Sequence, residues 1–286
     1  MVRLEKAIVI SRDTQTSNAN LYRKDLGRVG CYSALDIGIR MQNGATSAIN
    51  LDPLDVISRI SLVVNGNDYR FHLKGQDMYR LYWLKNKRPM PATFSEVGAA
   101  VQEVWFRMEF GRFLGDPQFG LDLSKFSNVQ VQIDYALTTW GAVGVTTFTT
   151  GTFAPTIIAH QFPALAKPNF RGMLGQREFW NGTSVASGEE VQDLPSNNMV
   201  IAAAVSCLSD GVADASTITD VRIGKDRFTT LYAGCKWYNE QPIQNYDLAV
   251  KEEHFDLFVA TAQVKDTHLS NIRSATCTPR VHTVPT

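Results

Sequence analysis

Apolar and polar side chains alternate along several segments of the chain, and this pattern predicts β-strands. Leu35–Met41, Val104–Phe110 and Val129–Leu137 each carry an apolar residue at every second position. Alternation with a period of two is typical of a strand that turns one face to a core and the other to solvent. Thr146–Phe153, which is rich in β-branched residues, and Thr156–Gln161 are predicted strands as well. The predicted core residues of the first half are Leu35, Ile37, Ile39, Val104, Phe106, Met108, Val131 and Ile133.

A β-hairpin is predicted where Ile60–Val64 and Tyr69–Leu73 flank the dipeptide Asn65-Gly66. Both central residues of a type I′ turn need positive φ, which asparagine and glycine tolerate better than other residues. The register of these two strands should therefore be set by the turn.

Short helices are predicted at one place in each half of the chain. Gln76–Lys85 spaces Met78, Leu81 and Tyr82 by three and four residues, which gives this segment one apolar face. Thr229–Tyr238 is the predicted counterpart in the second half.

Two stretches of the chain are weakly similar to each other. Ile60–Phe71 and Ile218–Phe228 both contain spaced apolar residues, a glycine turn, an aspartate and an Arg-Phe pair, and they begin 158 residues apart. Solenoid repeats have periods of roughly 20–50 residues. The long spacing therefore predicts one β-domain that is used twice.

The predicted domain organisation follows from a change in composition. Residues 163–175 hold two prolines and two glycines without a clear period, which indicates a linker. We predict an N-terminal arm at 1–30, a first domain at 31–162 and a second at 176–286. Many short strands separated by turns are typical of sandwiches and barrels. Strands of the second domain are predicted at Met199–Cys207, Asp220–Ile223, Phe255–Thr261 and Ile272–Thr278.

Composition and charge exclude several classes of protein. The 286 residues are 44% hydrophobic and carry 28 basic and 28 acidic side chains, so no overall field attracts nucleic acid. Residues 1–30 have a local basic excess, which is typical either of a solvated arm or of an arm that faces phosphates of a lipid or a genome. No apolar run is long enough for a transmembrane helix, and residues 1–10 lack the features of a signal peptide. The four scattered cysteines predict neither a disulfide framework nor a zinc site, and they fit folding in a reducing cytoplasm.

No motif predicts catalysis. Phosphate-binding glycine loops and a nucleophile elbow are absent from the sequence. Loop oxygens at Asp52–Asp55 or Phe113–Gly120 are a candidate calcium site, but neither loop has EF-hand spacing and turn formation is the preferred interpretation. The acids that would have to converge for glycosidase chemistry are Glu103, Asp116, Asp122 and Asp134. The histidines, which lack metal-ligand spacing, are His72, His160, His254, His268 and His282. We therefore assign no catalytic, cofactor-binding or metal-binding residues, and we predict that the protein is not an enzyme.

Aromatic side chains on the two predicted helices admit two interpretations. Exposed rings would be stacking platforms for a sugar or a nucleic acid, whereas buried rings would close the end of a barrel. The second interpretation is preferred because the pattern recurs in both halves. The residues concerned are Tyr79, Tyr82, Trp83, Tyr232, Trp237 and Tyr238.

Two segments resemble a known protein family. GDPQFGLDLSKFSNVQVQIDYAL (Gly115–Leu137) and ISRISLVVNGNDYRFHLKGQDMYRLY (Ile57–Tyr82) are similar to segments of double jelly-roll major capsid proteins of tailless icosahedral, often membrane-containing bacteriophages, in the adenovirus-hexon-like lineage. The resemblance covers residues 33–160 well, and it reaches the second half only through the internal repeat.

This resemblance implies an all-β fold of two tandem eight-stranded jelly-roll barrels with short flanking helices. It also implies a structural major capsid protein that forms trimeric, pseudo-hexagonal capsomers. The expected partners are two further copies in a homotrimer, neighbouring capsomers, a vertex (penton) protein and an internal membrane or genome near the N-terminal arm, with no small-molecule substrate. The expected location is the virion, after folding in the host cytoplasm. The alternative function is a carbohydrate-binding β-sandwich module or a virion spike protein.

Overall fold

The computed structural model shows that the chain folds into two compact units. It describes residues 4–45, 53–54, 56–86, 88–93, 95, 97–137, 148–164, 168–182 and 191–193, together with short strands between 205 and 277. Unit 1 comprises Met1–Trp83 and Pro89–Asn181, and unit 2 comprises Leu84–Arg88 and Gly182–Thr286.

Unit 1 is built almost entirely from strands. A 3-10 helix spans Leu123–Lys125, and helix α1, Gly75–Asn86, follows the hairpin. The strands are β1 (Glu5–Ile10), β2 (Ala19–Asp25), β3 (Cys31–Gln42), β4 (Ile57–Val64), β5 (Asp68–Leu73), β6 (Ala92–Thr93), β7 (Val101–Glu109), β8 (Leu121–Asp122), β9 (Val129–Ala136), β10 (Ala154–Gln161) and β11 (Gln176–Arg177).

The strands of unit 1 form two sheets with jelly-roll topology. The first sheet has the order β1-β10-β3-β7-β6, with β8 also paired to β3, and the second has the order β11-β5-β4-β9-β2. Without the two-residue strands β6, β8 and β11, eight strands remain. These are β1, β2, β3, β4, β5, β7, β9 and β10, which we number 1 to 8 along the chain for this comparison. With these numbers, one sheet has the strand order 1-8-3-6 and the other has the strand order 5-4-7-2. These two four-stranded antiparallel sheets are those of a jelly roll. The predicted all-β class is confirmed.

The core lies between the two sheets, as the alternation predicts. All eight predicted core residues have no exposed surface. Ring contacts extend this core: Phe71 meets Phe110 edge-on at 5.6 Å between centroids, and Tyr135 stacks on Phe153 at 3.7 Å. Period-two alternation therefore identified the inner faces of β3, β7 and β9.

The predicted hairpin and first helix are both present. Asn65 and Gly66 have φ values of 53° and 88°, as a type I′ turn requires. The Asn65 side chain also accepts a hydrogen bond from the Ser127 backbone N–H at 2.8 Å. In α1, Met78 and Tyr82 are buried. The helix therefore turns its predicted apolar face to the core of unit 1.

The predicted N-terminal arm at residues 1–30 is wrong, because β1 and β2 are edge strands of the two sheets. Strand β1 pairs antiparallel with β10, and β2 pairs antiparallel with β9. Of the side chains of β2, only that of Tyr22 is buried, since an edge strand leaves most of its residues in solvent. The alternation in β2 is therefore too weak to predict a strand. The jelly roll begins at Glu5 rather than at residue 31.

The predicted linker at residues 163–175 also differs from the structure. Gly172 forms a β-bridge with Phe119, and β11 pairs in parallel with Phe71 and His72 of β5. Gly175 lies so close to the backbone carbonyl of Arg70 that a Cβ atom would overlap it. Residues 168–178, which we call the strap, are thus bound to unit 1. Backbone hydrogen bonds, ring packing and the ion pairs of Arg177 with Asp68 and of Glu178 with Arg59 hold them there, and composition does not reveal these contacts.

The strand predicted at Thr146–Phe153 is wrong where the structure describes it. Phe148 forms an isolated bridge with Asn43, and the chain then turns at Thr150 and Gly151, where φ is 76°. A left-handed residue interrupts a strand, so the β-branched composition of this segment is misleading.

Unit 2 is described only as short paired strands. Strand β16 (Thr229–Tyr232) occupies the start of the helix predicted at Thr229–Tyr238, so that helix prediction is wrong there. Asp226, Arg227 and Phe228 lie outside the described residues, so the internal repeat and the second jelly roll stay predictions. The strands are β12 (Val205–Ser206), β13 (Leu208–Ser209), β14 (Val212–Ala213), β15 (Ile223–Lys225), β16 (Thr229–Tyr232), β17 (Phe255–Val259), β18 (Ala262–Asp266) and β19 (Thr276–Cys277).

Truncation of a core ring tests the two-sheet packing. Phe106 is buried and meets Tyr79 edge-on. Phe106→Ala should lower the free energy of unfolding by about 3–5 kcal/mol, because it removes a buried ring and leaves a cavity. Denaturant unfolding measures the loss. Phe113→Ala is the matched control, since the Phe113 side chain is 55% exposed. A loss below about 1 kcal/mol for Phe106→Ala would show that this side chain does not fill the core.

Candidate functional site

A buried polar cluster lies on the outer face of the β1-β10-β3-β7 sheet. Asp36 of β3 faces Arg107 of β7 in the register, and His160 comes from β10 on the other side of β3. Arg107 Nε donates to Asp36 Oδ1 at 2.5 Å and Nη2 donates to Oδ2 at 2.8 Å, while His160 Nε2 lies 2.7 Å from Oδ2. The carboxylate therefore joins three neighbouring strands.

Asp36 and Arg107 form an ion pair, and each lowers or raises the pKa of the other in favour of the charged form. Burial alone would raise the pKa of Asp36, but the hydrogen bonds from Arg107 and His160 outweigh it and lower this pKa to about 2. The hydrogen bond to Asp36 in turn raises the pKa of the Arg107 guanidinium. The Arg107 guanidinium also lies 5.9 Å from the centre of the Tyr82 ring. Both ions are thus stabilised in their charged forms.

This arrangement suits a structural role better than a catalytic one. Both carboxylate oxygens of Asp36 already accept hydrogen bonds from a fixed guanidinium and imidazole. A general base works best with a pKa near the operating pH, and the pKa of Asp36 lies far below neutrality. The cluster therefore holds the sheet together.

Asp116 organises the loop that was a candidate calcium site. Its fully buried carboxylate accepts hydrogen bonds from the Arg112 backbone and side chain and from the Gln118 backbone N–H. The Arg112 hydrogen bond, more than burial, sets the pKa of Asp116, and it lowers that pKa well below its usual range. Because these donors occupy the carboxylate, turn formation accounts for Phe113–Gly120. Asp52 and Asp55 of the other candidate loop lie outside the described residues.

The other three candidate acids have separate local roles. Asp122 caps the 3-10 helix by accepting a hydrogen bond from the Ser124 backbone N–H at 3.1 Å. Glu103 accepts a hydrogen bond from Trp105 Nε1 on the outer face of its sheet, and Asp134 is exposed on the outer face of the opposite sheet. Glu103 and Asp134 thus lie on opposite faces of the sandwich and form no glycosidase pair.

Two of the five histidines lie in the part of the chain that the structure describes. His160 belongs to the buried cluster, and His72 Nδ1 lies 2.9 Å from the Ser61 hydroxyl. Burial, with a contribution from Arg59, lowers the pKa of His72. No group of three potential metal ligands occurs among the described residues. His254, His268 and His282 lie outside the described residues.

The aromatic side chains of α1 are buried, as the preferred interpretation expects. Tyr79, Tyr82 and Trp83 have 3–7% of their surface exposed, and the Tyr79 hydroxyl donates to the Met90 carbonyl at 2.8 Å. They therefore provide no stacking platform. Tyr232 ends β16, whereas Trp237 and Tyr238 lie outside the described residues.

The exposed apolar side chains are features that the sequence pattern missed. Adjacent Phe179 and Trp180, just after β11, are 57% and 42% exposed. Val29 and Ile8 are also exposed, the latter on edge strand β1. Aromatic and aliphatic groups of this kind are enriched at protein–protein interfaces. In the sequence, these exposed apolar residues cannot be distinguished from apolar residues of the core, whereas the structure shows which of them are exposed. Among the described residues, no helix is long and apolar enough to cross a lipid bilayer.

Comparison with known proteins finds similarity in structure alone. No protein-family model and no curated protein matches the chain. The structure is similar to the STIV major capsid protein, with a TM-score of 0.65, 11% identity, and coverage of 97% of this chain and 84% of that one. A chain in the atomic structure of Sulfolobus Turreted Icosahedral Virus gives a TM-score of 0.63, 8% identity and coverages of 97% and 79%. The major capsid protein P2 from Bacteriophage PM2 gives a TM-score of 0.50, 13% identity and coverages of 96% and 87%.

These matches identify the class of fold. The structural neighbours are double jelly-roll major capsid proteins, so the resemblance carried by Ile57–Tyr82 and Gly115–Leu137 is confirmed. The alignment extends over nearly the whole chain, while the identity is low enough that the shared property is the fold.

The Asp36 cluster predicts a defined dependence of stability on pH. A carboxylate whose pKa is lowered on folding stabilises the protein above its unfolded pKa, and this stabilisation is lost as the pH falls through the folded value. Asp36→Asn should therefore cost at least about 2 kcal/mol near pH 7. The difference from wild type should shrink between about pH 4 and pH 2.

Denaturant unfolding at a series of pH values measures this difference. Asp134→Asn is the matched control, because Asp134 is exposed on the outer face of the opposite sheet. A wild-type advantage that stays constant down to the lowest pH would contradict the assigned role of Asp36.

Proposed function

We propose that this chain is a structural major capsid protein whose copies build the shell of an icosahedral virus, and that it acts as a building block rather than as an enzyme. The observation that carries the proposal is the structural match to the STIV major capsid protein over 97% of the chain. The eight-stranded jelly roll of unit 1 supports it independently, because its strand order follows from the chain's own backbone pairing.

The chemistry of unit 1 agrees with this role. Two of its buried carboxylates, Asp36 and Asp116, accept hydrogen bonds from Arg107 and Arg112 and stiffen the sheet or a loop. A shell subunit needs a rigid core and outward-facing contact surfaces. The exposed rings of Phe179 and Trp180 are suited to such contacts.

The assembly we propose is a homotrimer that packs against neighbouring capsomers and a vertex protein in the virion. Two similar barrels in each chain and three chains in each capsomer would give a nearly sixfold outline from threefold symmetry. This outline depends on a second jelly roll beyond Asn181, where unit 1 ends, and that second jelly roll stays a prediction.

Two expectations from the sequence lose their basis. The contact of residues 1–30 with a membrane or genome assumed a free arm, whereas residues 5–10 and 19–25 form barrel strands. The carbohydrate-binding alternative loses the rings of the first helix as candidate platforms, because Tyr79, Tyr82 and Trp83 are buried.

Measurement of the oligomeric mass tests the proposal. Size-exclusion chromatography with light scattering should give three times the chain mass, and electron microscopy of concentrated protein should show hexagonal capsomers or closed particles. The reason is that obligate capsomer interfaces bury large apolar areas and persist on dilution. A monomer at every concentration, with no particles, would contradict the proposal. A shift of that monomer on addition of sugars would favour the carbohydrate-binding alternative.

A further inference from the structure

A cleft of about 200 Å³ opens at one end of the jelly roll. Four parts of unit 1 contribute to it: the segment after β1, the end of β3, the start of β7 and the turn before β10. The polar lining residues are Arg12, Thr14, Arg40, Gln42 and Thr152. The cleft is thus built from segments that are distant in sequence and that the barrel brings together.

Two arginines supply the charge of this cleft. Arg12 and Arg40 line it, and no acidic residue is among its described lining residues. The acids nearest in the chain and in the sheet lie outside this lining: Asp13 accepts a hydrogen bond from the Tyr22 hydroxyl, and Glu103, opposite Arg40 on β7, accepts one from Trp105 Nε1. Two like charges therefore share one cleft without a counter-ion from the described lining.

The backbone holds both arginines at defined positions. Arg40 is paired on both sides, with Glu103 of β7 and Ala154 of β10. Arg12 has a φ of 49°, which is uncommon for a residue other than glycine, and its backbone N–H donates to the Thr156 hydroxyl at 3.1 Å. A backbone in this region costs free energy and persists only where the surrounding structure requires it. The backbone of Arg12 is thus held in one conformation at the wall of the cleft.

We propose that this cleft binds a tetrahedral oxyanion, a phosphate or sulfate group, between Arg12 and Arg40. A planar guanidinium presents paired N–H donors that match two oxygens of such a group, and two guanidinia can hold it from two sides. The Thr14 hydroxyl is a further donor on the wall. A bound anion would also offset the positive charge that the two arginines bring to the cleft.

The size of the cleft fits this ligand. A water molecule needs about 10–15 Å³ of such space, so a cleft of about 200 Å³ has room for one oxyanion and several waters. The site gives a specific role to Arg12, one of the basic residues in the excess over residues 1–30. It does not depend on the proposed capsid function.

Calorimetric titration with inorganic phosphate tests the site, with sulfate in a second arm and sodium chloride holding the ionic strength constant. The wild-type protein should bind with a saturable isotherm. Arg12→Gln and Arg40→Gln should each weaken binding at least tenfold, because each removes one of the two guanidinium groups and its paired N–H donors. Arg40→Lys should weaken it less than Arg40→Gln, since it keeps the charge and loses the fork.

Arg23→Gln is the matched control, because Arg23 is an exposed arginine on β2 that does not line the cleft. Its affinity should equal that of the wild type. Circular dichroism confirms that each variant is folded, and Arg40→Lys replaces Arg40→Gln in the comparison if the latter does not fold. The absence of saturable binding to the wild-type protein would overturn the proposal. So would an Arg23→Gln loss as large as that of the cleft variants, which would indicate adsorption by charge alone.

Discussion

The jelly roll of unit 1 depends on the pairing of its last two strands with its first two. Strand β10 lies between β1 and β3, and β9 lies between β2 and β4. Without β1 and β2, both of these central strands would become edges with unpaired backbone groups. The N-terminal segment therefore completes the sheets. Because this pairing joins residues more than a hundred positions apart, it also predicts slow folding.

The polar cluster adds a second constraint, since it fixes the register of the first sheet. Asp36, Arg107 and His160 come from three neighbouring strands and meet on the outer face. A slip of one residue would turn Asp36 into the core and an apolar neighbour to the outside. A buried ion pair is a weak source of net stability, but it penalises wrong registers strongly. A register fixed in this way would suit the proposed shell protein, whose surface would have to repeat identically in every copy.

The sequence contained enough information for the central strands but not for their surroundings. Leu35–Met41 and Val129–Leu137 alternate regularly because both segments lie against the core, and Asn65-Gly66 fixes a turn by its own backbone preferences. Strand β2 shows no such pattern, since an edge strand buries little. The strap is held by backbone hydrogen bonds and by ion pairs such as Glu178 with Arg59, whose partners lie far apart in the sequence, so neither kind of contact leaves a local pattern. Contacts such as Asp36 with His160 join residues 124 positions apart, and they follow from topology rather than from local sequence.

The central claim is that the strands between residues 5 and 161 form one eight-stranded jelly roll of two sheets, the building unit of the proposed shell protein. Native-state amide hydrogen exchange tests it most directly, because strand pairing protects backbone N–H groups. The backbone amides of β1 that hydrogen-bond to β10, and those of β2 that hydrogen-bond to β9, should be protected from exchange together with the amides of β9 and β10. Exchange of residues 5–10 and 19–25 at the rate of an unstructured peptide, while β3 and β7 stay protected, would contradict the account.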